Sequence, residues 1–437
     1  MSFMSNRYIN PSGFAENLPA EQLVENKLKE AFRNQAELYG YVPLETSAVE
    51  YMDTLASKGD INKEIYTIGR ALGEGEAAEG ERGLHFDLTV PFARYVAQNQ
   101  GELSFPFRRY QMQKVWRGER PQKGRFREFY QADIDVVGQQ NLPIQFDAEV
   151  ATVMARVLTS FGISAITMHI NNRKLLCGLI ESCGMGATPE VLQLIDKTDK
   201  IGVDEVVRLL GEEHQVAEES ARGLFEKIGQ SVSQSEVENY LNGIETSSEL
   251  LEEGVNELRE VFTSLPQVDG CAFVLNPQIA RGLDYYTGTV YETTVDGYEK
   301  YGSICSGGRY ADLAGRFTNQ ELPGVGLSIG LTRLLSIIKG ESLLDFSKKS
   351  TSDVMMCLLD DSMRGATLTA ADELRQTGKA VEMNQKSSVA LGKQLDLAEA
   401  RGIPYAVVCE QDANYTLYRI GGEKEVFDSL DALKRSL

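Results

Sequence analysis

The sequence has few residues that could form a metal site or a disulfide. Its six cysteines are scattered over 437 residues without a CxxC pair, and only three histidines could supplement them. Structural zinc sites and disulfide frameworks need clustered ligands or paired cysteines. We therefore expect reduced and mostly buried thiols rather than a zinc-bound or disulfide-bonded fold.

Long apolar runs are also missing from the sequence. No stretch of about 18 uncharged apolar residues is present, which is the length that a membrane-spanning helix requires. The first ten residues lack the charged and then apolar layout of a signal peptide. With 42% hydrophobic and 25% charged residues, the composition is that of a globular soluble protein. We expect a cytoplasmic protein that does not enter a membrane.

Positive charge is scarce overall. Lysine and arginine number 44 against 64 acidic residues, for a net charge of −20, so the chain lacks the basic footprint typical of nucleic-acid-binding proteins. Exposed charges are screened beyond about 8–10 Å at physiological salt, so a local basic cluster can still bind phosphate. One basic cluster stands out in this acidic chain and comprises Arg117, Arg120, Lys123, Arg125 and Arg127.

The length of 437 residues predicts two or three domains. We expect the first part of one domain at 1–187 and its second part at 266–346. Between them, 188–265 is rich in Glu and Leu with a helical period, which indicates an inserted helical domain. Apolar runs alternate with helical stretches over 353–437, which predicts a small α/β domain with a mostly parallel sheet.

Periodicity indicates several elements near the start of the chain. A helix is expected at Pro19–Leu38, with proline in its first turn and Gly40 beyond its end. Alternation of apolar and polar residues over 84–90 predicts a strand. Two further extended segments, 105–117 and 125–137, flank a short Gly-bounded loop and predict an antiparallel hairpin.

The second strand of that hairpin carries a polar face. Phe129, Gln131, Asp133 and Asp135 alternate with apolar residues, so they share one side of the strand. An edge strand with its polar face in water would show the same pattern. The neighbouring arginines favour a functional interpretation, because guanidinium groups match phosphate oxygens bidentately. A polyphosphate bound beside a carboxylate-lined pocket would explain both features.

At this point the sequence resembles a known family. The segment VWRGERPQKGRFREFYQADIDVVG resembles motif 2 of class II aminoacyl-tRNA synthetases, in the form typical of histidyl-tRNA synthetases. The segment IARGLDYYTGTVYE is similar to the histidine-binding signature of that family. The segments LHFDLTVPFARY and SICSGGRYADL resemble further pocket segments of the family. PGVGLSIGLTRLL resembles motif 3, and KQLDLAEARGIPYAVV resembles the anticodon-binding domain. Motif 1 is matched weakly, because Thr46 is followed by Ser47 instead of the frequent proline.

The resemblance implies a fold and an activity. The fold would be α+β, with a class II catalytic domain on an antiparallel sheet, a helical insertion and a C-terminal α/β anticodon-binding domain. The enzyme would be a homodimeric histidine–tRNA ligase. It would form histidyl-adenylate and pyrophosphate from L-histidine and ATP with Mg²⁺, and then transfer the histidyl group to the 3′ end of tRNA(His).

The resemblance also assigns roles around the nucleotide. Arg117 would hold the α-phosphate, Arg125 the outer phosphates, and Glu119 the adenine end. Adenine would stack between Phe129 and Arg333. Arg117 and Arg281 would be the catalytic residues, because two anions must react and no proton-transferring base is needed. In the second step, the acceptor end of the tRNA would lie near Gln122 and Lys123.

Histidine itself would be bound by a second set of residues. Asp87, Thr89 and Gln131 would bind the α-amino group, and Arg281 the carboxylate. Asp135 and Tyr285 would read the two imidazole nitrogens, because imidazole needs an acceptor for one and a hydrogen-bonding partner for the other. The histidine-binding set implied by the family is thus Asp87, Thr89, Gln131, Asp135, Arg281, Tyr285 and Tyr286, and Gly307 and Gly308 would let backbone approach the ligand.

Other interpretations compete with this one. Tyr285 and Tyr286 could be core aromatics of a strand, and Arg281 could merely pair with Asp284. The segment from Gly326 to Gly330 matches the G-x-S-x-G elbow of serine hydrolases, a short pattern that also needs a histidine partner.

The alternative function is a non-catalytic, histidine-binding regulatory paralogue that acts on ATP phosphoribosyltransferase. Such paralogues typically lack the C-terminal domain and lose the phosphate-binding arginines. This sequence keeps Arg117, Arg125, Arg281 and Arg333, and it has a C-terminal α/β segment, so we favour the enzyme.

Overall fold

The computed structural model describes residues 9–56, 64–69, 81–121, 124–163, 165–280, 286–311, 314–315, 317–411 and 414–437. The chain divides into two compact units. The first extends to Ala15 and resumes from Leu28 to Gly340, and the second comprises Glu16–Lys27 and Glu341–Leu437. Among the described helices, none combines the length and the apolarity needed to cross a membrane.

The first unit is built around a large sheet with helices packed on it. Its strands are β1 (Val42–Pro43), β2 (Val49–Tyr51), β3 (Arg82–Leu84), β4 (Phe107–Trp116), β5 (Glu128–Val137), β6 (Ile166–Asn172), β7 (Val232–Ser233), β8 (Cys271–Leu275), β9 (Tyr286–Val295), β10 (Cys305–Tyr310) and β11 (Gly324–Gly330). Up to Gly340, the helices are α1 (Pro19–Leu38), α2 (Met52–Leu55), α3 (Thr89–Asn99), α4 (Gln145–Ser160), α5 (Arg173–Ser182), α6 (Pro189–Ile195), α7 (Thr198–Ile201), α8 (Val203–His214), α9 (Glu218–Ile228), α10 (Val237–Asn242), α11 (Glu249–Ser264) and α12 (Leu331–Gly340).

Nine of the described strands form the main sheet, in the order β1-β4-β5-β11-β10-β9-β6-β8-β7. The β1–β4 and β6–β8 pairs are parallel, and every other neighbouring pair of this sheet is antiparallel. Helix α4 packs against β5, β6 and β11. The α+β fold on a mostly antiparallel sheet is therefore confirmed.

Two local predictions near the start of the chain are also confirmed. Helix α1 has the predicted bounds Pro19–Leu38. The predicted hairpin is formed by β4 and β5, which pair antiparallel with Phe107 opposite Val137 and Trp116 opposite Glu128. In both cases the signal was local, because an amphipathic stripe or two alternating runs around a loop need no distant partner.

The predicted strand over 84–90 is wrong. Strand β3 ends at Leu84, and helix α3 begins at Thr89. Asp87 supplies the reason, because its Oδ1 accepts a hydrogen bond of 3.0 Å from the backbone N–H of Val90 and so satisfies a donor in the first turn of the helix. Both supposed faces are buried here, since His85 and Asp87 are as inaccessible as Phe86 and Leu88.

The stretch 188–265 is mainly helical, from α6 to α11, with the two-residue strand β7 among the helices. Its last helix, α11, packs against α4 and α5 of the preceding part of the chain. These helices lie within the first compact unit. The helical character follows from the local Glu- and Leu-rich period, whereas a separate inserted domain stays a prediction.

The second unit contains a five-stranded sheet with helices on both faces. Its elements from Glu341 onward are β12 (Val354–Cys357), α13 (Arg364–Gln376), β13 (Val381–Met383), α14 (Leu391–Arg401), β14 (Tyr405–Cys409), β15 (Tyr415–Arg419), β16 (Lys424–Phe427) and α15 (Leu430–Ser436). In the order β13-β12-β14-β15-β16, the first two pairs are parallel and the last two antiparallel. The expected mostly parallel sheet is therefore wrong: it is mixed, because β14, β15 and β16 follow one another as hairpins.

Candidate functional site

The polar strand of the hairpin lies inside the sheet. Strand β5 pairs with β4 on one side and with β11 on the other, over seven residue pairs from Gln131–Gly330 to Val137–Gly324. Its residues from Gln131 to Val137 are all buried. An edge strand with a wet polar face is therefore excluded, and the buried carboxylates of β5 need another explanation.

A pocket of about 250 Å³ opens over this part of the sheet. Its walls come from β5, β9, β10, β11 and the start of α3. The lining residues are Thr89, Asp133, Asp135, Tyr286, Ser306, Tyr310, Gly326, Leu327 and Ser328. The pocket thus joins three of the residues assigned to histidine binding, namely Thr89, Asp135 and Tyr286, although the first and the last are 197 positions apart in the chain.

Asp135 is held from behind by two partners. Its Oδ2 lies 2.6 Å from Nη2 of Arg109, which is directly opposite it on β4 and fully buried. Its Oδ1 accepts a hydrogen bond of 3.1 Å from the hydroxyl of Tyr310 on β10. An ion pair on one oxygen and a hydroxyl donor on the other therefore fix this carboxylate at the pocket wall, although no guanidinium nitrogen of Arg109 meets hydrogen-bond geometry with a described residue.

Asp133 has a different environment two residues earlier on the same face. Burial raises its pKa to about 7, although Arg109 acts in the opposite direction from 4.0 Å and Asp135 adds to the rise. Its Oδ1 has no hydrogen-bond partner among the described residues. Arg109 compensates the charge of Asp133 only weakly, because it lies 4.0 Å from Asp133 and 2.6 Å from Asp135.

The raised pKa of Asp133 predicts how stability depends on pH. A raised pKa means that the folded protein binds this proton more tightly than the unfolded chain, so the stabilisation is present below the ordinary pKa of about 3.9 and is lost as the pH rises through about 7. The loss should be at most about 1.4 kcal/mol per pH unit. Asp133→Asn removes the titrating group, so its stability relative to the wild type should increase between about pH 5 and about pH 8.

Urea unfolding of both proteins across that pH range measures the margin, which is the difference between their free energies of unfolding. The contributions of other titrating groups cancel in this difference. A margin that stays constant with pH would contradict the raised pKa.

Glycines bring backbone and side chains close together around the pocket. A Cβ at Gly326 would lie 2.1 Å from Oδ1 of Asp135, and one at Gly308 would lie 2.8 Å from the carbonyl oxygen of Thr289. A Cβ at Gly307 would lie 2.0 Å from the carbonyl oxygen of Gly326. A Cβ at Gly307 or Gly308 would clash with neighbouring backbone, so packing within the sheet already requires glycine at both positions. A close approach of the backbone to a ligand would require it as well.

Gln131 and Asp87 contribute polar atoms near the pocket. The side-chain amide of Gln131 donates from Nε2 to the hydroxyl of Ser328 at 2.6 Å, while its Oε1 has no hydrogen-bond partner among the described residues. Asp87 is buried and caps α3, whose first residue, Thr89, lines the pocket. Ser328 is the serine of the G-x-S-x-G pattern. Its hydroxyl accepts this hydrogen bond from the amide of Gln131, so the serine has a structural role.

The nucleotide-binding candidates lie at the end of the hairpin. The Nε of Arg117 donates to the carbonyl oxygen of Phe86 at 3.0 Å, and its guanidinium carbon lies 5.1 Å from the ring centre of Phe129. Arg125 and Glu119 form an exposed ion pair of 3.5 Å. Arg117 thus lies beside Phe129, and Arg125 beside Glu119. The hydrogen bond to Phe86 joins Arg117 to the loop that carries Asp87.

Arg333 reaches the same hairpin from α12. It donates to the carbonyl oxygen of Tyr301, and a Cβ at Gly124 would lie 3.6 Å from its Cγ. Arg127 donates to the backbone carbonyl oxygens of Glu119 and Ser12, and its place in a phosphate-binding cluster stays a prediction.

Some predicted site residues fall outside the described residues, namely Arg281, Tyr285, Gln122 and Lys123. The same holds for Asp284, the alternative partner of Arg281. Convergence of Arg117, Arg281 and Arg333 on one nucleotide therefore stays a prediction. Within the described part of the chain, no cluster of three or more His, Cys, Asp or Glu side chains could hold a metal ion.

Sequence reasoning missed Arg109 and Tyr310. Both sit in segments that were singled out, but their contact with Asp135 depends on strand register and sheet order. For Arg109 a signal existed, because a hairpin pairing Phe107 with Val137 places it opposite Asp135. For Tyr310 the only signal was its position after the glycine pair, and the order β5-β11-β10 was needed to bring it to Asp135.

Comparison with known proteins gives consistent relatives. A family model described as histidyl-tRNA synthetase matches residues 13–334. Histidine–tRNA ligase from Micrococcus luteus is 42% identical, covering 98% of this chain and 96% of the relative. The same-named protein from Thermobifida fusca is 43% identical, covering 91% of this chain and 92% of the relative.

Solved structures are similar as well. The crystal structure of histidyl-tRNA synthetase from Nostoc sp. PCC 7120 matches with a TM-score of 0.90 and 36% identity, covering 99% of this chain and all (100%) of that chain. An ATP phosphoribosyltransferase regulatory subunit/histidyl-tRNA synthetase from Bacillus halodurans matches with a TM-score of 0.72 and 19% identity, covering 90% of this chain and 97% of that chain. At that identity the second likeness concerns the fold alone.

Proposed function

This chain belongs to the histidyl-tRNA synthetase family, and from that premise we propose that the pocket beside Asp135 binds the side chain of histidine. The activity is that of a histidine–tRNA ligase: histidine and ATP form histidyl-adenylate and pyrophosphate, and the histidyl group is then transferred to tRNA(His). The observation that carries the proposal for the pocket is the Asp135 carboxylate, which Arg109 and Tyr310 hold at its wall.

Imidazole has one N–H donor and one acceptor when it is neutral. Asp135 would accept from the donor, and a tyrosine hydroxyl, from Tyr285 with Tyr286 nearby, would serve the other nitrogen. The α-amino group would bind Asp87, Thr89 and Gln131. The Oε1 of Gln131 supports this role, because it is buried without a hydrogen-bond partner among the described residues and could accept from an ammonium group.

The hairpin end would bind ATP. Arg117 would hold the α-phosphate, Arg125 the outer phosphates and Glu119 the adenine end, with adenine between Phe129 and Arg333. The contact of Arg117 with Phe86 supports this arrangement, because that loop also carries Asp87 and so links the nucleotide to the amino-acid pocket.

Activation requires an anionic carboxylate to attack an anionic α-phosphate. Arg117 would reduce the repulsion from one side, and Arg281, which would also touch the histidine carboxylate, from the other. Both would stabilise the charge that develops in the transition state without moving a proton. Arginine suits this task because it stays charged and binds two oxygens in a fixed geometry.

We propose that Mg²⁺ accompanies the nucleotide. This ion usually keeps several waters and reaches proteins through substrate phosphates and one or two carboxylates. Arg117 and Arg125 would hold the phosphates that carry the ion. When bound, magnesium would neutralise phosphate charge beside them.

We further propose a cytoplasmic homodimer. Leu38, Val42 and Tyr51 are exposed large apolar side chains of the first unit that a dimer contact would cover. The domain arrangement that we propose is a catalytic domain at 1–187 and 266–346, interrupted by a helical insertion at 188–265. An anticodon-binding domain would follow at 353–437.

ATP–pyrophosphate exchange with each of the twenty amino acids tests the proposed pocket. Histidine alone should support fast exchange, because a site built to hydrogen-bond a polar group rejects analogues without it by about 10⁴-fold or more. Equal exchange with an amino acid that has no ring nitrogen would exclude a pocket built around Asp135.

The basic hairpin loop would lie near the acceptor end of the tRNA, through Gln122 and Lys123. Lys123→Ala should therefore raise the KM for tRNA by about tenfold, because it removes a phosphate contact. The KM for histidine, measured on the same variant by pyrophosphate exchange, is the internal control and should stay at the wild-type value. A larger effect on histidine than on tRNA would refute this placement.

A further inference from the structure

A fully buried arginine lies behind the proposed histidine pocket. Arg109 has no accessible surface, and its Nη2 is 2.6 Å from Oδ2 of Asp135. Its guanidinium carbon lies 4.4 Å from the ring centre of Phe92 on α3. Burying a guanidinium this completely is costly unless it is paired, so the pair with Asp135 needs a reason beyond packing.

The position of Arg109 relative to the pocket suggests the reason. Asp135 lines the pocket, whereas Arg109 does not, so a ligand would meet the carboxylate with the guanidinium behind it. Tyr310 holds the other carboxylate oxygen. The two partners meet different oxygens of the carboxylate, so together they orient Asp135 at the pocket wall.

Charge balance is the second consideration. The titratable groups that act on Asp135 are Arg109 from β4, Asp133 from β5, Tyr310 from β10 and Tyr41, which precedes β1. Asp87, from the loop before α3, acts on Asp133, and Tyr286 from β9 lies beside Tyr310. Among these groups, Arg109 is the cation. A pocket wall of Asp135 alone would favour a positively charged ligand, whereas the Arg109–Asp135 pair presents an acceptor whose charge is largely cancelled.

We propose that Arg109 is a positioning residue that makes the pocket specific for the neutral imidazole of histidine: it orients Asp135 as a hydrogen-bond acceptor and cancels its charge, so that cationic side chains are rejected. This inference rests on the proposed function of the Asp135 pocket. It adds a residue that does not touch the ligand and acts through Asp135.

The test is histidine-dependent pyrophosphate exchange with the full chain, from about pH 6 to about pH 8.5. In the wild type, the KM for histidine should rise below about pH 6.5, where free imidazole becomes protonated. In Arg109→Met, KM at about pH 8 should rise at least tenfold and should fall as the pH is lowered, because imidazolium now compensates the carboxylate. The kcat should change less than KM in this variant.

A conservative variant keeps the test informative if Arg109→Met does not fold. Arg109→Lys retains the charge but loses the fork geometry. Its KM should rise by about tenfold with the wild-type direction of pH dependence. A Lys variant that binds histidine better at low pH, or that loses kcat as much as KM, would overturn the proposal.

Arg108→Met is the matched control. Arg108 is the neighbouring residue on the other face of β4, where it pairs with Glu149 at 2.9 Å. This variant should keep the wild-type KM and pH profile. If the wild type itself shows no exchange with histidine, the proposed function fails. If it does, and Arg109→Met matches the wild-type profile, only the role of Arg109 fails.

Discussion

Asp135→Ala should abolish histidine activation, with a loss of about 10⁴-fold or more in kcat/KM for histidine. The variant removes the acceptor for the imidazole N–H and leaves the buried Arg109 without its close partner. Breaking a buried ion pair from one side typically costs about 3–5 kcal/mol of stability. We therefore expect two effects from one substitution: lost exchange activity and a lower free energy of unfolding.

These two effects can be separated with a second buried pair. Asp147 on α4 is fully buried and lies 2.6 Å from Nη2 of Arg309 on β10, outside the pocket lining. Asp147→Ala should lose a similar amount of stability, whereas the KM for histidine of its folded fraction should stay within about threefold of the wild type. Urea unfolding and pyrophosphate exchange on both variants make the comparison. If Asp147→Ala lost histidine binding as severely as Asp135→Ala, general destabilisation would explain both.

Arg117→Ala should slow adenylate formation by about 10²–10³-fold, which corresponds to about 3–4 kcal/mol of transition-state stabilisation. The side chain would face the α-phosphate, and its contact with Phe86 orients it. Unlike Asp135, it is only half-buried, so the fold should persist. Single-turnover formation of adenylate, with histidine and ATP saturating, measures the chemical step directly. The same result is expected for Arg281→Ala, the other proposed catalytic arginine.

Arg120→Ala is the matched control for charge in the hairpin. Arg120 is an exposed arginine three residues after Arg117. Adenylate formation does not involve tRNA. Loss of the Arg120 side chain should therefore leave the single-turnover rate within about twofold of the wild type. A wild-type rate in Arg117→Ala, or an equal loss in Arg120→Ala, would show that Arg117 has no specific role at the phosphate.

Local patterns in the sequence were sufficient for several elements. The stripe over Pro19–Leu38 and the alternating runs of the β4–β5 hairpin depend on neighbours two to four positions apart, so the chain itself carries their signal. The same reasoning failed over 84–90, because period-two alternation is also produced by a short buried loop. There the Asp87 cap, which starts α3 at Thr89, outweighs the alternation.

Family likeness supplied what spacing alone did not. The motifs around Arg117, Asp135 and Arg333 indicated a histidyl-tRNA synthetase, and the comparisons agree. Composition could not have done so, because a net charge of −20 argues against a nucleic-acid partner. The alternating polar residues of β5 were equally compatible with an edge strand until its two neighbours in the sheet were known.

The sequence by itself determined the helices and hairpins whose partners are close along the chain, and the family through its ordered motifs. Only the tertiary structure decided what surrounds Asp135: the buried Arg109 behind it, the Tyr310 hydroxyl from β10 and the close glycines of β10 and β11. The physical reason is that side chains across a sheet become neighbours through strand order and register. Strand order and register depend on which strands pair over the whole chain, so the residues adjacent in the sequence do not encode them.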